Sequence, residues 1–154
     1  MINSDAEKMM HAALEEARKA EKLGEVPVGA IVVVENNIVA TAFNEVEAGQ
    51  DATLHAEMLA LKRASAKLGR WRLDDATVYV TLEPCSMCIG AMILSRVKNL
   101  YFGAWDPRQG AVGSLFDLSQ QPQLPHKITV YPEVLKSESE ELLKSFFLKC
   151  RNRA

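Results

Sequence analysis

The chain is poor in cysteine. Three in 154 residues is a small and odd number, which counts against the disulfide framework that holds small exported domains together. It turns attention to metal binding or thiol chemistry in a reducing compartment, and the expected location is the cytoplasm. Long apolar runs are also missing. No segment is apolar for long enough to cross a bilayer, so no membrane association is expected. The opening segment MINSDAEKMMHAALEEARKAEKL mixes acids and bases without a central apolar block, and it reads as the first helix of the fold, not as a signal or transit peptide. Nor is there an excess of one charge. Eighteen Lys and Arg against twenty Asp and Glu leave a net −2, and with a pI of about 5.9 a surface that is a nucleic-acid footprint throughout is excluded. A local basic patch is carried by the C-terminal segment KSFFLKCRNRA, with Lys144, Lys149, Arg151 and Arg153 and no acid between them. Repeats, low-complexity tracts and linkers are absent, so residues 1–154 read as one domain, long enough for a substantial core.

The chain does contain alternating helix and strand signals. Residues 5–22 carry Met9, Ala12, Ala13 and Ala17 at helical spacing and stop at Gly24. VPVGAIVVVENNIVATAF gives two β-branched runs around Asn36-Asn37, a hairpin with a tight turn. Residues 44–53 read as loop. Leu54, Met58, Leu61 and Leu68 mark a helix that ends at Gly69. Strands follow at 76–82 and 99–105, separated by an apolar helix, SMCIGAMILSRV, that starts just after Pro84. The glycine-bearing QGAVGS and a stretch to 124 read as loop with a short helix near 114–119. HKITVYP is a fifth short strand. SESEELLKSFFLKC is a last helix, with Ser137 or Ser139 as its cap. Strands separated by helices predict an α/β fold with a mainly parallel central sheet, made mixed by the hairpin and covered by helices on both faces.

The chemistry gathers around LEPCSMCIGAM. Cys85 and Cys88 are spaced by two residues at a strand-to-helix junction, which puts both thiols within reach of one ion, and the positive end of the helix favours the thiolates. Such a pair is open to three readings: metal ligands, a redox couple, or buried apolar residues. His55 and Glu57, in HAE at another helix start, decide among them. One His and two Cys make three ligands with an open fourth position, the arrangement of a catalytic zinc. Glu57 suits proton transfer beside it. A redox reading leaves HAE unexplained, and a structural zinc has no use for Glu57.

H-x-E followed by P-C-x-x-C is the signature of zinc-dependent nucleobase deaminases. The chain resembles that superfamily, and within it the tRNA adenosine deaminases, over nearly its whole length. The resemblance is carried by GEVPVGAIVV, Asn44, HAEMLAL, LDDATVYVTLEPCSMCIGAMILSRV, FGAWDPRQGAVGS and FFLKCR. It implies a three-layer α-β-α sandwich on a five-stranded mixed sheet of cytidine-deaminase type, a homodimer, one Zn²⁺ per subunit and no organic cofactor. It implies hydrolytic conversion of the wobble adenosine of a tRNA anticodon stem-loop to inosine, with His55, Cys85 and Cys88 as zinc ligands and Glu57 as proton shuttle. The substrate-binding residues it implies are Asn44 and Asp106 near the nucleotides, Val28 in the pocket wall, and the Ala56 and Cys85 amides. An adenine inside a helix cannot present C6 to a zinc site, so stacking aromatics and phosphate-binding cations are expected accessories. The C-terminal segment supplies both types, Phe146 and Phe147 beside Lys149, Arg151 and Arg153, and His126 and Lys127 match positions near the RNA.

The chain departs from the family pattern at Ala52, Leu54, Trp105, Leu148 and Cys150. Trp105 replaces a frequent arginine and could stack on a base; Cys150 is expected to be a bystander. The alternative within the same chemistry is a free guanine or cytosine deaminase, and the alternative outside it is a non-catalytic zinc module that binds RNA.

Overall fold

The computed structural model describes residues 4–153. Helix α1 spans Ser4–Lys22. A hairpin follows, β1 (Gly29–Val34) and β2 (Asn37–Phe43), then a single turn α2 (Val46–Gly49) and helix α3 (Ala56–Leu68). Strand β3 (Thr77–Leu82), helix α4 (Ser86–Leu94) and strand β4 (Asn99–Ala104) form the central β-α-β unit. Strand β5 (Thr129–Tyr131) and helix α5 (Lys136–Arg153) complete the fold. The five strands form one sheet in the order β2-β1-β3-β4-β5. β1 runs antiparallel to both β2 and β3, and β3, β4 and β5 are mutually parallel. The sheet is therefore mixed as expected, with its parallel part limited to the last three strands.

Strand β1 is buried along its whole length, and its alternation sorts the two layers. Ala30 and Val32 face one core with Ala56, Ala60 and Ala64 of α3 and Ile89, Met92 and Ile93 of α4. Ile31 and Val33 face the other with Ala6, Met10, Ala13 and Leu14 of α1. Tyr79, Tyr101 and Tyr131 are direct partners across β3, β4 and β5, and their rings stack at 4.7 and 4.4 Å. This ladder ties the three-residue β5 to the sheet.

Several expectations are corrected in detail. The buried stripe of α1 includes Ala6, Met10, Leu14 and Ala20 with Ala13 and Ala17, so Met9 and Ala12 lie at its margin. In α3 the buried residues are Ala56, Glu57, Ala60, Leu61 and Ala64; Leu61 is inward as expected, but Leu54 and Met58 are not among them and small side chains take most of the face. The hairpin turn is Glu35-Asn36, both with positive φ, because Asn37 already pairs with Val34. Helix α4 stops three residues early, at the left-handed Arg96. The loop 44–53 contains α2, and no helix forms near 114–119, where Val112 and Asp117 instead make an isolated bridge. The fifth strand is shorter than HKITVYP. Helix α5 begins at Lys136, so Ser137 and Ser139 lie inside it and cap nothing.

Gly29 shows how closely α1 sits on the sheet. A Cβ there would overlap the Ala13 carbonyl and meet the Ala17 backbone nitrogen, and neither backbone can give way alone. Gly29→Ala is expected to cost about 3 kcal/mol, read as a lower denaturant midpoint at unchanged m-value. An unshifted midpoint would show that α1 adjusts freely.

Candidate active site

Two helix N-termini converge at the carboxyl end of β3. His55 is the N-cap of α3 and Cys85 the N-cap of α4, both with extended backbone and neither making a side-chain cap hydrogen bond. Residues at such positions usually turn back onto the helix amides; here they turn toward one another, with Cys88 joining from the first turn of α4. His55 Nδ1 lies 3.6 Å from Cys85 Sγ and 3.5 Å from Cys88 Sγ, and all three donor atoms fall within 4.8 Å of one another. A tetrahedral zinc with bonds of about 2.0 Å to nitrogen and 2.3 Å to sulfur separates N from S by about 3.6 Å. The spacing and the imidazole–dithiol donor set both fit zinc.

Without a cation this cluster shares protons. Cys85 is pulled down to about 4, chiefly by the hydrogen bond from Cys88 and then by His55. Cys88 is pushed up because it holds the shared proton and is buried. His55 is raised by its hydrogen bond to Cys85. A divalent ion takes the place of these protons, so binding releases them.

Glu57 lies on the inward face of α3 and is buried, 4% exposed. Burial raises its carboxyl to about 7, against the opposing pull of its own backbone amide, the His55 charge and a hydrogen bond with Cys88. Desolvation thus places a proton carrier close to neutrality beside the ligand cluster.

The cluster opens into a cavity of about 510 Å³ whose lining includes His55, Glu57 and Cys85, together with Val28, Asn44, Ala56, Asp106 and Phe147. The structure therefore brings the whole expected set to one place, with the fully buried Cys88 behind the wall. Ala56, the first residue of α3, has no intrahelical partner for its amide. Asn44 is buried and loosely held: its Nδ2 donates to the Val26 carbonyl at 3.4 Å and its Oδ1 accepts from the Val46 amide at 3.4 Å, both longer than good bonds. Asp106 Oδ1 accepts from the Arg108 and Gln109 amides at 3.0 and 3.3 Å, so this side chain builds a turn in the wall. Phe147 is 44% exposed and meets Phe146 edge to face at 5.3 Å.

Other residues singled out in the sequence have local explanations. Trp105 lines the cavity, but its indole N–H donates to Glu133 at 3.1 Å and its ring packs edge-on against Phe102. Leu54 packs over Gly49, where a Cβ would overlap it. His126 Nε2 lies 2.7 Å from the Val97 carbonyl, which makes the imidazole a donor to backbone. Cys150 is exposed on α5, away from the other two thiols.

Sequence reasoning passed over two buried carboxylates in the cavity lining, Glu25 and Glu83. Glu25 is 1% exposed and accepts from the Glu47 and Ala48 amides at 2.9 and 2.7 Å, capping α2 from outside. Glu83 is 2% exposed and accepts from the loop that follows β4. Acids inside apolar phrases such as EVPVGA and TLEPC carry a signal, since Glu is rarely buried without donors around it.

Residues 3–104 match the family model for the zinc-binding region of cytidine and deoxycytidylate deaminases. The chain belongs to this deaminase family. A tRNA-specific adenosine deaminase of Bacillus subtilis is 46% identical over 94% of this chain and 89% of its own. A solved structure from work on A-to-I editing by tRNA:A34 deaminases superposes with a TM-score of 0.86 at 42% identity, covering 88% of this chain and 99% of that one. The guanine deaminase of Nitrosomonas europaea superposes less closely, with a TM-score of 0.76 at 28% identity over 91% and 83% of the two chains. The three-layer cytidine-deaminase-like fold is thus borne out, and this deaminase is a zinc-dependent hydrolase with His55, Cys85 and Cys88 grouped to hold one ion.

Proposed function

We propose that the chain converts the wobble adenosine of a tRNA anticodon stem-loop to inosine, acting as one deaminase domain and as a cytoplasmic homodimer. The observation that carries this reading is the likeness, over almost the whole chain, to relatives named for that activity. The geometry agrees with it. The ligand cluster sits at the floor of a cavity large enough for a base that has left its stack, and an aromatic ring stands in the cavity lining on the last helix. A splayed-out loop base is what such a site can reach.

Zinc, when bound, supplies a Lewis acid that makes water nucleophilic near neutral pH. Glu57, as carboxylate, takes a proton from the attacking water and delivers it to N1 of the purine, which makes C6 electrophilic. It then passes a second proton to the departing amine, so that water and adenosine become inosine and ammonia. Asn44, with its two weak bonds, orients the nucleotide by exchanging them for stronger ones. Val28 and Ala56 shape the wall beside the base, and Asp106 holds the opposite wall. His55, Cys85 and Cys88 hold the ion.

Inosine formation in an anticodon stem-loop, assayed beside ammonia release from free guanine and cytosine, tests the substrate. Turnover of a free base with none on the stem-loop overturns the reading in favour of a free-base deaminase. Phe147 is expected to act at the rim. Since stacking on one base is worth about 1–3 kcal/mol, Phe147→Ala raises KM for the stem-loop roughly tenfold with a much smaller change in kcat. Equal losses in both constants would place Phe147 in the chemistry or the core instead.

A further inference from the structure

The loop from Trp105 to Ser114 forms one wall of the cavity through Trp105, Asp106, Pro107, Arg108 and Gln109, yet it contains no regular element. Its backbone donors converge on a single side chain. Glu83 Oε1 accepts from the Asp106 amide at 2.9 Å and from the Ser114 hydroxyl. Its Oε2 accepts from the Val112 and Ser114 amides, each at 3.0 Å. An ionised carboxylate only accepts, and all four partners donate, so the match is complete. Gly110 passes so close that a Cβ there would overlap the carboxylate. The next two residues after Glu83 continue the seam. The Pro84 carbonyl accepts from the Ala111 amide at 2.9 Å, and Cys85 bridges to Gly110.

From this we infer that Glu83 is a positioning residue, a buried anchor that sets the nucleotide-facing wall at a fixed distance from the turn presenting Cys85. The wall's other bonds are mostly turn bonds within the loop itself, such as the Gly110 amide to the Asp106 carbonyl at 2.9 Å, while the turn is fixed by β3 on one side and α4 on the other. Glu83 joins the two without reaching the reacting atoms. Its replacement therefore loosens the grip on the nucleotide before it affects the chemical step. This role rests on the stem-loop reading above for its kinetic consequence, though not for its structural one.

Glu83→Gln keeps the size but turns one acceptor into a donor that faces donors. In the zinc-loaded enzyme, amide hydrogen exchange at Asp106, Val112 and Ser114 is expected to rise by about tenfold or more, as expected when bonds to a charged acceptor are lost, while amides of β1 and β3 keep their protection. KM for the stem-loop rises by about tenfold, kcat changes by less than about threefold, and zinc remains at one per chain. Ser114→Ala, which removes one donor and leaves the carboxylate, shows the same pattern at smaller amplitude and guards against a Glu83 variant that fails to fold. Unchanged exchange in the wall amides overturns the proposal. So does a kcat loss that matches the KM change, or zinc loss with KM intact, since either assigns Glu83 to the metal turn. A wild-type enzyme inert on the stem-loop sinks the substrate reading instead, and the exchange measurement then decides the anchor on its own.

Discussion

Glu57→Ala abolishes deamination, with kcat lowered on the order of 10⁴-fold, while zinc stays bound at one ion per chain. The size of the effect follows from the two proton transfers assigned to this carboxyl, both routed through a side chain that is almost wholly shielded from bulk water. Water cannot easily take over a proton relay in that position. Glu57→Gln separates the proton from the packing: the amide fills the same volume and keeps one oxygen, yet it cannot cycle a proton, so it falls as far as alanine does. A zinc-free Glu57→Ala protein would show that Glu57 supports the ligands and that its assigned role is wrong. The carboxyl also leaves a mark on stability. Its value in the folded, metal-free chain is raised from 4.5 to about 7 by burial, so the folded state binds this proton more tightly than the unfolded one. Its favourable contribution is complete below pH 4.5 and is lost as pH rises to about 7. Chelated wild-type protein is therefore expected to lose thermal stability across that window relative to Glu57→Gln, in which the titration is absent. A bound cation stabilises the carboxylate, which lets Glu57 serve as a base at neutral pH.

The same residue shows what could be read from the sequence. His55, Glu57, Cys85 and Cys88 were legible because a metal ligand set needs particular elements at particular spacings. The hairpin, the two helices that carry the ligands and the parallel strands were legible because β-branched runs and glycine stops are local signals. The burial of Glu57 was legible only in retrospect. It shares a face with Ala60, Leu61 and Ala64, and a helix that lies this close to its sheet uses small residues where the larger Leu54 and Met58 drew the eye. Glu25 and Glu83 were missed for a different reason. Each serves backbone amides of a segment far along the chain, and backbone amides carry no sequence identity, so nothing in the residue types pairs them. The absent helix near 114–119 also reflects backbone pairing that residue types do not announce: the Gly113 amide bonds the Phe116 carbonyl, the Leu118 amide bonds the Ala111 carbonyl, and Val112 bridges Asp117. Trp105 reads as a candidate for stacking on a base until Glu133 and Phe102 are seen to hold it in the wall.

Cys88→Ala is expected to remove both zinc and activity, and with them a large part of the stability of the loaded enzyme. Cys88 is fully buried whereas Cys85 and His55 are only partly buried, so Cys88 is the ligand that water cannot replace. Taking it away leaves two donors for an ion that requires three from the protein. The metal also has a structural task here. His55 and Cys85 occupy the N-caps of α3 and α4 without capping them, which forgoes about 1 kcal/mol at each helix, and three protonatable groups are crowded within 4.8 Å. Binding the ion offsets these costs. With zinc at a thousand times its dissociation constant the folded state gains about 4 kcal/mol, which for a chain of this length raises the melting temperature by about 10 °C. Wild-type protein should show that gap between its loaded and chelated forms. Cys88→Ala should show none, melting at one temperature with or without added zinc. Cys150→Ala, altered on the exposed face of α5, should keep the wild-type zinc content and the wild-type gap. A Cys88→Ala protein that still gains stability from zinc would mean that the ion is held by a different set of residues, and that the cluster at the two helix starts is only a hydrogen-bonded group of buried side chains.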